Sequence, residues 1–184
     1  MSGSNRAGNA TRPVIDFAAE HLRARGVEAR ILDLVELPGD VLHAGMYEAS
    51  LAHAYLDEAE RVLKGADRWV LAFPEYNGSF PGALKLFFDA LSVRDYKGLF
   101  GGRVAGLIGT ASGRQGNLRG LDHFTAVLNH MGTTVMPKSL PVSLIEQHLD
   151  TERAFVGEDA TEQVGKYLDR FLAYAPQPLA AEAA

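Results

Sequence analysis

The stretch Phe73-Pro74-Glu75-Tyr76-Asn77-Gly78-Ser79-Phe80-Pro81-Gly82-Ala83-Leu84-Lys85 decides the fold, because it joins an apolar strand to an amphipathic helix through a loop rich in backbone donors. Upstream, Trp69-Val70-Leu71-Ala72-Phe73 is a short continuous apolar run, the pattern of a strand buried on both faces of a parallel sheet. Downstream, Leu84, Phe87, Phe88 and Leu91 fall at i, i+3, i+4 and i+7 and share one helical face. Ser79 fits a helix N-cap, and Pro81 fits the first turn, where its missing N–H costs nothing. Pro74 to Gly78 therefore falls at the carboxyl edge of a sheet, where open α/β folds bind ligands. Taken alone, the same residues also suit an ordinary strand-to-helix connection.

The rest of the chain repeats the alternation. A helix at about 12–25 carries Ile15, Ala18, Ala19 and Leu22 on one face and ends at Gly26, and a strand is expected at Ala29 to Leu34. Glu36 to Glu48 reads as a surface loop. A helix to Lys64 follows, with Ala52, Tyr55, Leu56, Ala59 and Leu63 inward, closed by Gly65. Further strands are expected at Val104 to Ile108 and Thr133 to Met136, separated by a helix marked by Leu121, Phe124, Leu128 and Met131 and ended by Gly132. A last helix runs from about Ala160 to Tyr174, and Pro176 to Ala184, with little to bury, is expected to be a flexible tail after one domain at 1–175. Such alternation requires a parallel sheet with helices on both faces.

Composition narrows the function classes. A length of 184 residues and 47% hydrophobic content suit one well-buried core, and a net charge of −5 gives no basic footprint for nucleic acid. No apolar run is long enough to span a membrane and the N-terminus lacks a signal-peptide core, so a cytoplasmic location is expected. With no cysteine there is no thiolate nucleophile, disulfide or Cys-x-x-Cys redox pair. The six histidines form no metal-binding spacing, and no metal site or catalytic side chain is expected. Gly-x-Ser-x-Gly and Gly-x-Gly are both absent, which removes the hydrolase elbow and the Rossmann dinucleotide fingerprint.

Pro74-Glu75-Tyr76-Asn77, a short spacer, then Pro81-Gly82-Ala83-Leu84-Lys85 resembles the signature of the NADPH-dependent FMN reductase family. Two more segments fit it. Gly3-Ser4-Asn5-Arg6-Ala7-Gly8-Asn9-Ala10-Thr11 resembles the family's phosphate loop, and Gly109-Thr110-Ala111-Ser112-Gly113-Arg114-Gln115-Gly116 its second ring-contacting loop. The resemblance implies a flavodoxin-like doubly wound sheet that binds FMN and takes hydride from NADPH or NADH. It implies phosphate contacts from Gly3, Ser4, Arg6, Asn9 and Thr11, with Gly8 helping the backbone to curl. Pro74, Glu75, Tyr76, Asn77, Gly78 and Ser79 would line the ribityl chain and ring, and Ser112, Gly113 and Gly116 the pyrimidine edge. It further implies a small-molecule acceptor such as a flavin, quinone or azo compound, and a homodimer or homotetramer, with no nucleic-acid or membrane partner. By their residues alone, positions 3–11 suit a solvated polar terminus equally well, and Arg114 suits a solvated surface position as well as a nicotinamide contact. The rival functions are a flavodoxin-type electron carrier and a non-catalytic domain that has lost FMN.

One element of the implied fold is missing. A flavodoxin-like sheet begins with a central strand before the phosphate loop, and only Met1 and Ser2 stand there. The expectation is that the usual first strand is absent, through a start codon placed too far downstream or a truncation. Ala29 to Leu34 is then expected to close up against Trp69 to Phe73 at about 4.8 Å, the ordinary strand spacing, which would restore the ladder and displace the phosphate loop.

Overall fold

β1 (Arg68–Pro74) and β2 (Val104–Thr110) lie parallel, in register from Arg68 opposite Val104 to Pro74 opposite Thr110. They form the centre of the computed structural model, which describes residues 1–41, 43–48, 50 and 52–176. The tail beyond residue 176 lies outside the described residues. β2 is buried along its whole length, as expected of a strand covered on both faces. On its far side it pairs in parallel with β3 (Thr134–Val135) near its start and β4 (Leu140–Val142) near its end. The strand expected at 133–136 is thus present but shortened to β3, and β4 is a further strand beyond the expected range. Pro137 has no N–H for the ladder and Lys138 has a φ of 61°, so the chain leaves the sheet at Met136 and returns at Leu140.

The other edge corrects two expectations. Residues 29–34 do not close up against β1, because Met1 to Gly3 lie between them. Ser2 bridges Asp33 on one side and Ala72 on the other, both parallel. Ser2 N–H donates to Leu32 O at 2.8 Å and Gly3 N–H to Ala72 O at 2.8 Å, while Ala72 N–H donates to Met1 O at 3.0 Å and Leu34 N–H to Ser2 O at 3.0 Å. The first strand is therefore a stub in its usual central place, and the order across the sheet is 33, 2, β1, β2, then β3 and β4. The strand expected at 29–34 shrinks to its pairing at Asp33, since residues 29–31 face no neighbour to pair with.

Alternation along β1 builds the two cores. Trp69, Leu71 and Phe73 point to the layer of α2 (Ala54–Lys64), α3 (Gly82–Ser92), α4 (Tyr96–Phe100) and α5 (Leu118–His130). Val70 and Ala72 point to α1 (Thr11–Arg23) and α6 (Glu158–Ala173). The first layer is aromatic: Phe88 meets Trp69, Phe87 and Phe124 edge-on, with centroids 5.2–6.4 Å apart. Each such fully buried side chain contributes on the order of 1.5–3 kcal/mol.

Several element ends differ from the sequence pattern. The 36–48 segment is not a plain surface loop. It follows on from a 3₁₀ turn at Leu34–Glu36, carries two more at Gly39–Val41 and Ala44–Tyr47, and drives Val41 and Met46 into the core. α2 starts at Ala54, leaving Ala52 exposed. α3 is capped by Pro81 rather than Ser79, and Pro81 is extended with ψ at 138°. Ala24 caps α1, and Gly26 follows two residues later at a φ of 77°.

Candidate functional site

The ends of β1 and β2, and the loop after the stub strand, come together at the carboxyl edge of the sheet. Beyond β1, Glu75 N–H still donates to Thr110 O at 2.9 Å, so the loop leaves the sheet only at Tyr76. Tyr76 and Ser79 then exchange backbone bonds at 2.9 and 3.2 Å around Asn77 (φ 53°) and Gly78 (φ 81°). Positive φ at both central residues is the mirror-image type I turn, and Asn-Gly is the pair that adopts it at least cost. This explains why Ser79 does not cap α3: its backbone is committed to the turn. Its hydroxyl lies 2.9 Å from Nδ1 of His123 on α5, a histidine to which the sequence assigns no role.

The loop of residues 3–11 meets this turn directly. Ser4 Oγ lies 2.7 Å from the Tyr76 hydroxyl and accepts from Arg6 N–H at 3.2 Å. Gly3 is required by packing: a Cβ there would stand 2.9 Å from Phe73 Cβ and 3.1 Å from Ala72 O. Residues 5–8 are exposed, and among the described residues the Arg6 guanidinium meets no carboxylate. Asn9 acts as a helix cap, its Oδ1 accepting from Thr11 and Arg12 N–H at 3.1 Å each. The Thr11 hydroxyl is buried 2.8 Å from that of Thr110 at the end of β2. Arg12 ties the start of α1 to the edge strand through Asp33, at 2.7 Å. This hydrogen bond to Asp33, joined by one to Asp16, raises the guanidinium pKa further.

The third loop is held from below. Ala111 N–H donates to Val142 O and Leu144 N–H to Gly113 O, both at 3.1 Å, which leaves Ser112 and Gly113 exposed beside the other two loops. Gly116 is buried at a φ of 56°, and a Cβ there would fall 2.7 Å from Pro141 Cβ and 2.9 Å from Val142 N. Asn117 follows, fully buried and left-handed at a φ of 65°. Its Oδ1 caps α5 by accepting from Gly120 N–H, and its Nδ2 donates to Phe73 O, each at 3.1 Å. The sequence pattern passes over Asn117, Thr110 and His123. An Asn just before an apolar-periodic helix was the available cap signal.

These groups fit a flavin mononucleotide by the chemistry of their donors. The phosphate needs backbone N–H groups at a helix N-terminus and a cation, which the exposed residues 5–8 and Arg6 offer. Ser4 and Thr11, in contrast, are fully buried, their hydroxyls against those of Tyr76 and Thr110, and hold the loop from beneath. A flat ring with a polar edge needs a wall with free donors, and the Asn77-Gly78 turn with exposed Ser112 and Gly113 supplies one. Residues 3–11, 74–79 and 112–116 thus share one edge, though Gly3 and Gly116 serve the backbone packing beneath it. Among the described residues no cluster of His, Asp and Glu suits a metal ion, and no helix is long and apolar enough to cross a membrane.

The comparisons with known proteins agree with this geometry. The chain matches the model of the NADPH-dependent FMN reductase family over residues 1–147. It is 25% identical over 146 residues to a 2-hydroxy-1,4-benzoquinone reductase of Burkholderia sp, covering 77% of this chain and 78% of that one. It is 31% identical over 118 residues to an FMN-dependent NADPH-azoreductase of Staphylococcus aureus, covering 60% of this chain and 58% of that one. Among solved structures it is similar to the NAD(P)H:(acceptor) oxidoreductase FerB of Paracoccus denitrificans, with a TM-score of 0.76 and 22% identity over 94% of this chain and 93% of that one. It is also similar in fold to flavodoxin 1 of Bacillus cereus, with a TM-score of 0.59 and 18% identity over 95% of this chain and 96% of that one. With three loops gathered at the carboxyl edge of a flavodoxin-like sheet and a family match that runs from the first of them through the last, the chain belongs to the NADPH-dependent FMN reductase family, NAD(P)H-dependent flavin oxidoreductases whose cofactor is FMN.

Proposed function

We propose that FMN binds with its phosphate at residues 3–11 and its ring against Pro74–Ser79 and Ser112–Gly116, and that NADPH or NADH serves the reduction of a small quinone, azo compound or free flavin. The observation that carries this reading is the 2.7 Å contact between Ser4 Oγ and the Tyr76 hydroxyl, which fixes the first loop against the second. The chemistry supplied by the flavin when bound is hydride transfer from nicotinamide to acceptor. The residues present bind, orient and shield it. Backbone N–H groups at 112–116 offer dipoles for negative charge at the pyrimidine edge, and the Asn77-Gly78 turn walls one side. The benzoquinone reductase and azoreductase among its relatives support acceptors of those two kinds. A homodimer or homotetramer belongs to this reading and rests on the family.

The test is direct. Protein loaded with FMN is expected to be yellow after gel filtration and to bleach anaerobically on addition of NADPH or NADH. A yellow protein that neither nucleotide bleaches is a carrier, and a colourless one has no flavin function. Arg6→Ala is expected to weaken FMN binding by about 1–2 kcal/mol, the scale of a charge-assisted hydrogen bond, roughly five- to thirtyfold in Kd. Unchanged affinity in a fluorescence titration would remove Arg6 from the phosphate site. His123→Gln is expected to leave flavin reduction within about tenfold, below the usual contribution of a general acid or base. A loss of several hundredfold in stopped-flow traces would give the ring a proton-transfer role.

A further inference from the structure

Most cations of this chain are paired, and those that are not gather at the site. Among the described residues, only Arg6, Lys97, Arg114, Arg119 and Lys138 of the lysines and arginines make neither an ion pair nor a side-chain hydrogen bond. Arg6 belongs to the loop proposed for the phosphate. Arg114 lies in the loop after β2 and Arg119 in the first turn of α5, both exposed. Arg119 reaches the turn after β1, since a Cβ on Gly78 would stand 3.8 Å from its Nη1. One turn further along α5, His123 Nδ1 lies 2.9 Å from Ser79 Oγ, so the helix face that carries Arg119 is fixed to that turn. Arg114 is held by its backbone, its C=O accepting from Ser143 Oγ at 2.7 Å, while its guanidinium is left to solvent. Neither arginine pairs with Glu75 of the second loop or with Asp122 on α5. Leu118, between the two in the chain, is 49% exposed, one of few large apolar side chains that the fold leaves in solvent.

We propose that Arg119, with Arg114, is a specificity-determining residue of the site and selects flat substrates that carry an anionic group beyond the reacting ring. The proposal rests on the FMN reading above. On a protein of net charge −5, cations without a counter-ion are what draws an incoming anion to one place. Arginine adds a planar fork of donors that matches a carboxylate, sulfonate or phosphate, and Leu118 adds an apolar surface for a ring. The cofactor's own phosphate does not account for Arg119, which meets the turn proposed to wall the ring and not residues 3–11. Two substrates of this reaction class bring the required chemistry. One is NADPH, with a phosphate on its adenosine ribose that NADH lacks, and the other is an acceptor quinone bearing a sulfonate or carboxylate. Both reach the same loops in turn, so one pair of arginines serves either.

The experiment uses FMN-loaded protein, unsubstituted and with Arg114→Ala, Arg119→Ala and the two together, and takes Lys97→Ala on α4 as a charge control outside the three loops. In one stopped-flow arm, photoreduced flavin is reoxidised anaerobically by 1,4-naphthoquinone or by its 2-sulfonate. In the other, oxidised flavin is reduced by NADPH or by NADH. Each arm reads a ratio of second-order rate constants, the sulfonate over the plain quinone and NADPH over NADH, in which changes common to both members cancel. At low salt the double variant is expected to lower one or both ratios by at least about tenfold, Arg119→Ala alone by about three- to tenfold, and Lys97→Ala by less than about twofold. Raising KCl from about 20 to about 300 mM is expected to lower the affected ratio in the unsubstituted protein and to leave it flat in the double variant. A fall in the quinone ratio alone assigns the arginines to the acceptor, and a fall in the nucleotide ratio alone assigns them to the donor. Ratios within about twofold of the unsubstituted protein in both arms overturn the proposal. So does an equal fall with Lys97→Ala, which would make it an effect of net charge. A yellow, reducible protein with unchanged ratios overturns this inference and leaves the FMN reading standing, whereas a protein that retains no flavin overturns both.

Discussion

Asn117→Ala is expected to destabilise the protein by about 2–4 kcal/mol and to lower Tm by roughly 5–15 °C, with loss of FMN affinity beyond what the stability change explains. Three costs add. The α5 cap to Gly120 N–H is lost, which costs about 1 kcal/mol and up to about 2 at some helices. The 3.1 Å bond from Nδ2 to Phe73 O is lost in a fully buried setting, which costs about 1 kcal/mol more. Finally, a φ of 65° suits Asn far better than Ala, and the left-handed conformation costs an ordinary residue about 1 kcal/mol or more. The same side chain fixes the loop of residues 112–116 to the residue before Pro74, so two of the three site loops lose their common anchor. Asn117→Asp separates the effects, since it keeps the cap acceptor but sets a carboxylate oxygen against a carbonyl. If Asn117→Ala melts within about 1 °C of the unsubstituted protein, the anchor has been misjudged.

Patterns confined to one element were legible in the sequence. The continuous apolar runs at 69–73 and 104–108 mark strands covered on both faces, and both strands are there, each longer by two residues. The Pro-Glu-Tyr-Asn stretch was legible as a strand-to-helix loop at the carboxyl edge of the sheet, yet its inner construction was not. Asn77-Gly78 is a turn signal in its own right, and reading Ser79 as a helix cap missed that the turn already commits its backbone. What depends on distant partners was hidden. Nothing local says that Asn117 reaches Phe73, or that the Thr11 hydroxyl meets Thr110, because these contacts exist only after the sheet has ordered three loops at one edge. The central strand shows the same limit from the other side. The sequence offers only two residues before Gly3, and a strand of normal length could not be read there. Even so, Met1 to Gly3 hold the central position, because Leu32, Leu34 and Ala72 present their backbone groups to them from both sides.

The second large effect is expected at Phe124. On α5, this fully buried ring meets Phe73 at 5.3 Å, Phe88 at 5.2 Å and Phe80 at 4.9 Å between centroids. Phe73 ends the buried part of β1 and Phe80 directly follows the Tyr76–Ser79 turn, so one side chain supports both ends of the loop proposed to wall the flavin. Phe124→Ala removes the support and leaves a cavity, at a cost of about 3–5 kcal/mol. Phe171→Ala on α6 makes a comparable cavity on the other side of the sheet, since Phe171 is 1% exposed and packs with Val164, Leu168 and Ile108. Both variants are expected to melt at similarly lowered temperatures. Only Phe124→Ala is expected to weaken FMN binding, by tenfold or more, on the order of 1.4 kcal/mol, when affinity is measured well below both melting transitions. The reason is that a residue under the loop sets the position of Tyr76 and the turn, whereas Phe171 touches neither. Equal FMN affinities in the two variants would mean that the loop holds its shape through its own turn bonds and the Ser4–Tyr76 contact, and that Phe124 contributes stability alone.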